Sequence, residues 1–392
     1  MATQAEPIVQ NADIDHDTPQ PHIHVEERKL SLLDFTKTLI KVNGSDLHLQ
    51  ADSVPMIRVD GRARFLDCAP PSNEVMGEYV KHLLDGQDPS RKEGLEHKGA
   101  IDLSWAMPDG SGRFRVNIFH SRTKFAIVMR RIITKIPNFD ELNLPPQVES
   151  LADYHRGIVF VSGTTGCGKT TTLAAIIGKI NRSRSERIIT IEDPIEFQHE
   201  NQKSLVSQVE VGTDSESYEY ALRESMRQDP DTMLIGEIRD TFSLSTGLRA
   251  ADTGHLVFTT VHATNASQTI ERLVSLFDPD QKELQRTQLA TNLIAVCSQR
   301  LAKRREGKGR VPVVEIMMAT PIVRKYILEG EFEKLKGAVG NREAGSQSFD
   351  QHLTEMFQKQ IIDVTEAKRL ASNVDALNLA LRGISNSDTR LR

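Results

Sequence analysis

The stretch Gly163-Thr164-Thr165-Gly166-Cys167-Gly168-Lys169-Thr170 holds the residues whose types and spacing bear most directly on chemistry. It spells G-x-x-x-x-G-K-T, a loop whose glycines let successive backbone N–H groups turn inward onto phosphate oxygens. In such a loop Lys169 brings a mobile positive charge to the β- and γ-phosphates, and the Thr170 hydroxyl can ligate Mg²⁺. Thr171 follows at the start of a helix expected over 171–180, with Leu173, Ile176, Ile177 and Ile180 along one side. The apolar run Ile158-Val159-Phe160-Val161 supplies a strand before the loop. Strand, loop and helix in that order predict a nucleoside-triphosphate site over 163–171, the helix dipole adding to the attraction.

Three further groups sharpen the chemistry. Ile188-Ile189-Thr190-Ile191 runs into Glu192-Asp193-Pro194 and places carboxylates at the C-terminal end of a strand, where open α/β sheets bind their ligands. Thr232-Met233-Leu234-Ile235-Gly236-Glu237 is a second apolar strand ending in an acid. Glu237 could hold Mg²⁺ beside Thr170 or share with Glu192 the activation of the attacking water, and spacing does not rank the two as base. In Gly254-His255-Leu256-Val257-Phe258-Thr259-Thr260-Val261-His262 the two histidines would stand about 23 Å apart on an extended strand, too far to share a metal ion. His262 is placed to sense the γ-phosphate, with Thr260 nearby. The plain alternatives are an acidic cap on a strand end and satisfied structural histidines.

Arginines form the last group. Strand alternation in 113–119 puts Arg113, Arg115 and Asn117 on one face, and Arg130-Arg131 ends another apolar run. An arginine delivered to transferring phosphates is worth about 10³–10⁵ in rate. A solvated polar face is the alternative for any one of them. The basic stretch 300–310 reads as an exposed loop or docking surface rather than a nucleic-acid site.

The elements that must position these residues follow from composition and pattern. A chain of 392 residues accommodates two or three domains. A net charge of -5 argues against a general nucleic-acid coat protein, and three scattered cysteines imply neither a disulfide framework nor a cysteine zinc site. With no visible signal peptide and no apolar run near the ~18 residues of a membrane span, a cytoplasmic protein is expected. Residues 1–27 read as a disordered acidic tail in which His16, His22 and His24 are solvated rather than metal-bound. A helix over 31–42 and strands at 47–49, 56–59 and 113–119 indicate a small α+β domain over 28–134. A proline-bearing linker over 135–150 precedes an α/β core over 151–319, where strand and helix patterns alternate. From 320 to 392 the pattern is helical, with Thr320-Pro321 as N-cap and N1 and Ser348 with Gln351 as a capping box.

Taken in order, the P-loop, Thr190-Ile191-Glu192-Asp193-Pro194-Ile195-Glu196, Leu234-Ile235-Gly236-Glu237 and Thr253-Gly254-His255-Leu256 through His262, with Gly44-Ser45-Asp46-Leu47-His48 near the start, resemble the PilT/PilU group of type IV pilus retraction ATPases. The group lies within the secretion ATPase superfamily, and the resemblance runs over residues 28–385. It implies a RecA-like P-loop ATPase core, preceded by a PAS-like α+β domain, followed by C-terminal helices and assembled as a homo-hexamer. It also implies ATP and Mg²⁺ between the two domains, catalysis by Glu192, Glu237 and His262, and Arg113, Arg115, Arg130 and Arg131 reaching the phosphates. The implied partners are an inner-membrane pilus platform protein and a second retraction ATPase. The motor would sit at the cytoplasmic face of the inner membrane without inserting into it, and no nucleic acid is expected.

Ile322-Val323-Arg324-Lys325-Tyr326-Ile327-Leu328-Glu329 keeps only Arg324, Ile327 and Glu329 of the group's usual Ala-Ile-Arg-Asn-Leu-Ile-Arg-Glu. That departure, and Ser348-Phe349-Asp350-Gln351, point to an accessory motor of the PilU kind. Cys167 stands where the group has serine or another small residue. The absence of a four-cysteine zinc module favours retraction over extension. An ATPase of a type II/IV secretion or conjugation machine is the alternative. A RecA-like nucleic-acid translocase is more remote, because the chain has an acidic balance and no basic patch rich in aromatics.

Overall fold

Period-two alternation builds one sheet of this chain, and strands that are apolar on both faces build the other. The structure, a computed structural model, describes residues 23–24, 30–59, 61–85, 89–132, 136–307 and 309–382. It divides into two units, Met1–Thr134 and Lys135–Arg392.

The first unit contains β1 (Ile23–His24), α1 (Leu32–Lys41), β2 (Asp46–Gln50), β3 (Met56–Val59), β4 (Arg62–Asp67), α2 (Asn73–Leu84), α3 (Pro89–Lys98), β5 (Ala100–Ala106), β6 (Arg113–Ser121) and β7 (Lys124–Ile132). The strands form one sheet in the order β1-β4-β3-β2-β7-β6-β5, antiparallel except for the β1–β4 pair. Leu47, Leu49, Ile57, Phe114, Val116, Ile118, Ile127 and Met129 share a core with Phe35 and Leu39 of α1 and Met76 and Leu83 of α2. Alternation therefore turns Asp46, His48, Arg58, Arg113, Arg115, Asn117 and Arg130 to the opposite face. A reciprocal capping box between Ser31 and Asp34 starts α1. Of the expected tail only residues 23 and 24 are described, and their backbone pairs with Leu66 and Asp67. His16, His22 and the His24 side chain lie outside the described residues.

In the second unit, residues read as a linker form α4 (Phe139–Leu142) and α5 (Pro146–Glu149), and bury Phe139, Leu144 and Val148. Then follow β8 (Gly157–Gly163), α6 (Lys169–Ser183), β9 (Arg187–Glu192), β10 (Leu205–Glu210), α7 (Tyr218–Ser225), β11 (Thr232–Ile235), α8 (Thr241–Asp252), β12 (Leu256–Val261), α9 (Ala266–Ser275), α10 (Lys282–Asn292), β13 (Leu293–Lys303) and β14 (Arg310–Met318). Five helices complete it: α11 (Pro321–Glu329), α12 (Phe332–Gly340), α13 (Phe349–Gln358), α14 (Val364–Leu370) and α15 (Val374–Leu381).

The sheet order is β10-β9-β11-β12-β8-β13-β14, parallel throughout except for the β14 edge. Ile158 and Phe160 pack into one core with α7 to α12, whereas Val159 and Val161 pack into another with α6. Both faces are covered, as parallel strands require, and this is the α/β core the alternating pattern predicts. Thr320 caps α11 with Pro321 at its start, and Ser348 with Gln351 forms the capping box of α13. No helix among the described residues is long and apolar enough to cross a membrane.

Candidate functional site

The phosphate loop is set by what only glycine can do at two positions. Gly163 ends β8 at φ +151, and a Cβ there would clash with Cys167 Sγ and stand 2.6 Å from the Gln299 carbonyl oxygen. Gly168, at φ 93, is the N-cap of α6. Lys169 is buried, and its ammonium donates to the carbonyls of Gly163 at 3.0 Å and Thr164 at 3.2 Å. Gln299 of the adjacent β13 donates to the Thr172 hydroxyl at 2.9 Å and so ties the first turn of α6 to the sheet. Cys167 is buried, and burial pushes its thiol above the ordinary range, offset in part by Lys169. It fills space rather than offering a ready thiolate.

Ladder register gathers the remaining groups. Ile191 of β9, Ile235 of β11, Thr259 of β12 and Phe160 of β8 lie in one row across the sheet. The next positions, Glu192, Gly236 and Thr260, fall beside the loop, with Glu237 and His262 just beyond. One pocket is lined by Thr165, Gly166, Lys169 and Thr170 together with Glu192, Asp193, Glu196, Tyr218, Glu237, Arg239, Thr260 and His262. The structure thus brings Glu192, Glu237 and His262 to the phosphate loop. His255 lies at the other end of β12, where its Nδ1 donates to the Ala250 carbonyl at 2.8 Å.

The two glutamates differ in environment. Glu192 is 6% exposed and accepts from the Thr190 hydroxyl at 2.7 Å and from Gln208 Nε2 at 3.1 Å. Burial pushes its carboxyl above the usual glutamate range, against the pull of those two bonds, and the nearby Glu196 and Glu210 push the same way. Glu237 is more open, with a side chain 31% exposed, and its carboxylate lies 3.3 Å from His262 Nε2 and 3.5 Å from Arg239 Nε. Arg239 also reaches Asp193 at 3.1 Å and lies 5.6 Å over the Tyr218 ring. The Tyr218 hydroxyl donates to the Glu237 carbonyl and accepts from the Glu237 N–H, both at 3.0 Å. Burial pushes that phenol up to about 12, so it stays a hydroxyl. The Thr260 hydroxyl donates to the Gly236 carbonyl at 2.7 Å, and Arg272 donates to the His262 carbonyl at 2.7 Å.

The arrangement can hold a polyphosphate on loop amides and Lys169, with acids at its far end. Thr170 and Glu237 offer hard oxygen donors that suit Mg²⁺, which takes its other ligands from phosphates and water. Tyr218, Gln208 and Gln299 escape the sequence reading. Each acts through a partner on a separate element, and none belongs to a spaced motif.

The four arginines lie in the first unit. Arg115 and Arg130 stand opposite each other on β6 and β7, and Arg130 is opposite Asp46 on β2. Arg130 Nε donates to Asp46 at 2.8 Å, Arg113 Nε donates to the Ser104 hydroxyl at 2.9 Å, and Arg115 Nε lies 3.7 Å from Asp102. Burial works to raise the Asp46 carboxyl, but the Arg130 and Ser45 bonds hold it below the usual range. Arg131 alternates to the other face and donates to Asn43 at 3.2 Å.

A family model described as type II/IV secretion system protein matches residues 36–369. The chain is 37% identical over 361 residues to the type IV pilus ATPase PilU of Pseudomonas aeruginosa, covering 91% of this chain and 93% of that one. It is 39% identical over 343 residues to the type IV pilus retraction ATPase PilT of the same organism, covering 86% and 98%. The solved structure of the pilus retraction motor PilT with bound ADP matches with a TM-score of 0.81 at 35% identity, over 88% of this chain and 98% of that one.

Proposed function

The chain belongs to the type II/IV secretion system protein family, and from that membership we propose that it is an ATP-hydrolysing motor of type IV pilus retraction. One observation carries the chemical part: a glycine-lined phosphate loop, two strand-end glutamates and His262 share one pocket edge. Lys169 and the loop amides bind and orient the β- and γ-phosphates, and the α6 N-terminus adds its dipole. Mg²⁺, held through Thr170 and Glu237, would neutralise charge developing between the phosphates. Glu192 accepts the proton of the attacking water, a role supported by its burial, since a raised carboxyl is the better base near neutral pH. His262 meets the terminal phosphate and reports its presence to Glu237, 3.3 Å away.

The working assembly is a homo-hexamer at the cytoplasmic face of the inner membrane, acting on a pilus platform protein. Arg113, Arg115 and Arg130 supply positive charge to the nucleotide. Arg131, on the other face of its strand, is the weakest member of that set. An accessory role beside a second retraction ATPase is favoured by the divergent stretch 322–329. There the retained Arg324 donates to the carbonyls of Ala290, Thr291 and Leu293 at the end of α10, which is structural work. Purified protein should hydrolyse Mg-ATP slowly and run as a six-fold species by mass measurement. Deletion should abolish or weaken pilus retraction and leave protein secretion intact. Loss of secretion with normal retraction would transfer the chain to a secretion machine, and hydrolysis stimulated several-fold by single-stranded DNA would make it a translocase.

A further inference from the structure

Glu315 of β14 is a carboxylate set between the starts of two helices. It accepts from the backbone N–H of Ala266, first residue of α9, at 2.8 Å. The start of α13 lies on its other side, where the Phe349 amide helps to hold the carboxyl down. Its place along the strand explains why. Val313 belongs to the apolar core of α13 to α15 and Met317 to the core under α9, so Glu315 is the polar residue between the two. Burial raises its carboxyl above the usual glutamate range, and the two amides and Arg300 act against that rise. Arg300, on the paired strand, lies 3.8 Å over the Phe349 ring and donates to the Leu370 carbonyl. At the other end, α9 begins just after His262, and Arg272 of that helix holds the His262 carbonyl.

We propose that Glu315 is a positioning residue that couples the terminal-phosphate side of the site, through His262 and α9, to the C-terminal helices α13 to α15. The coupling rests on His262 meeting the terminal phosphate. The carboxylate is bonded to the start of α9 and faces the start of α13, whose Phe349 packs with Val313 of the same strand, so it holds its place only while the two helix starts keep their spacing. A shift of α9 that follows the phosphate therefore alters the charge presented to the start of α13, and the effect is reciprocal. Adjacent residues of one edge hairpin thus face both the nucleotide elements and the C-terminal helices.

The test is amide hydrogen exchange on the full chain with and without Mg-AMP-PNP, read at residues 349–352 of α13. Wild-type protein should exchange about fivefold more slowly there with nucleotide, the low end of allosteric coupling. Glu315→Gln keeps the shape and removes the charge. It should bind Mg-AMP-PNP as wild type does and lose the α13 response. Glu315→Asp keeps the charge but withdraws the oxygens, and should weaken the same response. An undiminished α13 response in either folded variant, or none in wild type, overturns the proposal. His262→Ala separates the two readings. If it silences α13 both stand, and if α13 still responds while Glu315→Gln is silent, the histidine assignment fails and the Glu315 coupling stands.

Discussion

Replacing Glu192 with glutamine tests the assignment of the base most directly. The carboxylate accepts from Thr190 at 2.7 Å and Gln208 at 3.1 Å, and a glutamine carbonyl can take both bonds. Shape is kept and only the capacity to accept a proton is lost. A positioned general base contributes about 10²–10⁴ in rate, which is about 3–5 kcal/mol of barrier at ~1.4 kcal/mol per tenfold. Single-turnover hydrolysis of Mg-ATP should fall by that factor while the dissociation constant for Mg-ATP holds. Wild-type turnover should decline on the acid side through a limb above the ordinary glutamate value of 4.5, and the variant should lack that limb. Stability carries the matching sign. Because the folded carboxyl titrates above the unfolded one, the unfolded chain loses its proton first as pH rises through that window. The wild type therefore loses stability there relative to Glu192→Gln, and the variant should melt higher at neutral pH. Near-normal turnover with the acid limb retained would refute Glu192 as base. Normal turnover in both Glu192→Gln and Glu237→Gln would refute the catalytic assignment as a whole.

Lys169→Ala should abolish tight Mg-ATP binding in a calorimetric titration, and full affinity in that variant would remove the loop from the site. Gly163→Ala forces a side chain against Cys167 and the Gln299 backbone at a φ that favours glycine. It should cost about 1–3 kcal/mol in denaturant melts and weaken nucleotide binding, and an unchanged melt counts against the loop geometry. Tyr218→Phe leaves the Glu237 N–H and carbonyl without their hydroxyl partner and should destabilise by about 1–3 kcal/mol while lowering kcat more than it raises KM. Arg130→Ala should impair hydrolysis more than nucleotide binding. Mixing it with Lys169→Ala protein should restore part of the activity if the arginine acts across subunits, and no recovery at any ratio argues for action within one chain.

The phosphate loop was legible because its work is done by contiguous residues, so the chemistry sits in one run from Gly163 to Thr171. Glu192, Glu237 and His262 were legible for a related reason: each follows an apolar strand, and parallel strands of one sheet share a C-terminal edge. Tyr218, Glu315 and Gln299 were not, since their partners lie 19, 49 and 127 residues away along the chain and only the fold brings them together. The sequence reading names no strand over β13 and β14. Residues 293–299 are buried on both faces, which erases the alternation that marks a half-exposed strand. The prolines of 135–150 conceal two single-turn helices whose Phe139 and Val148 are core residues. By contrast α2 carries readable helical spacing in Met76, Tyr79, Val80 and Leu83 that the sequence reading passes over.

The Lys169 ammonium already has two oxygen partners within its own loop, the carbonyls of Gly163 and Thr164. A nucleotide that recruits this cation gains only the difference between phosphate oxygens and those carbonyls, not the full strength of the new bonds. The net grip of the lysine is that difference, and it is what the Lys169→Ala titration reads. Once the γ-phosphate has left, the side chain has a ready place to fold back, and the loop itself competes with the spent diphosphate. A machine that must release and reload at every stroke is served by a clasp that closes on itself.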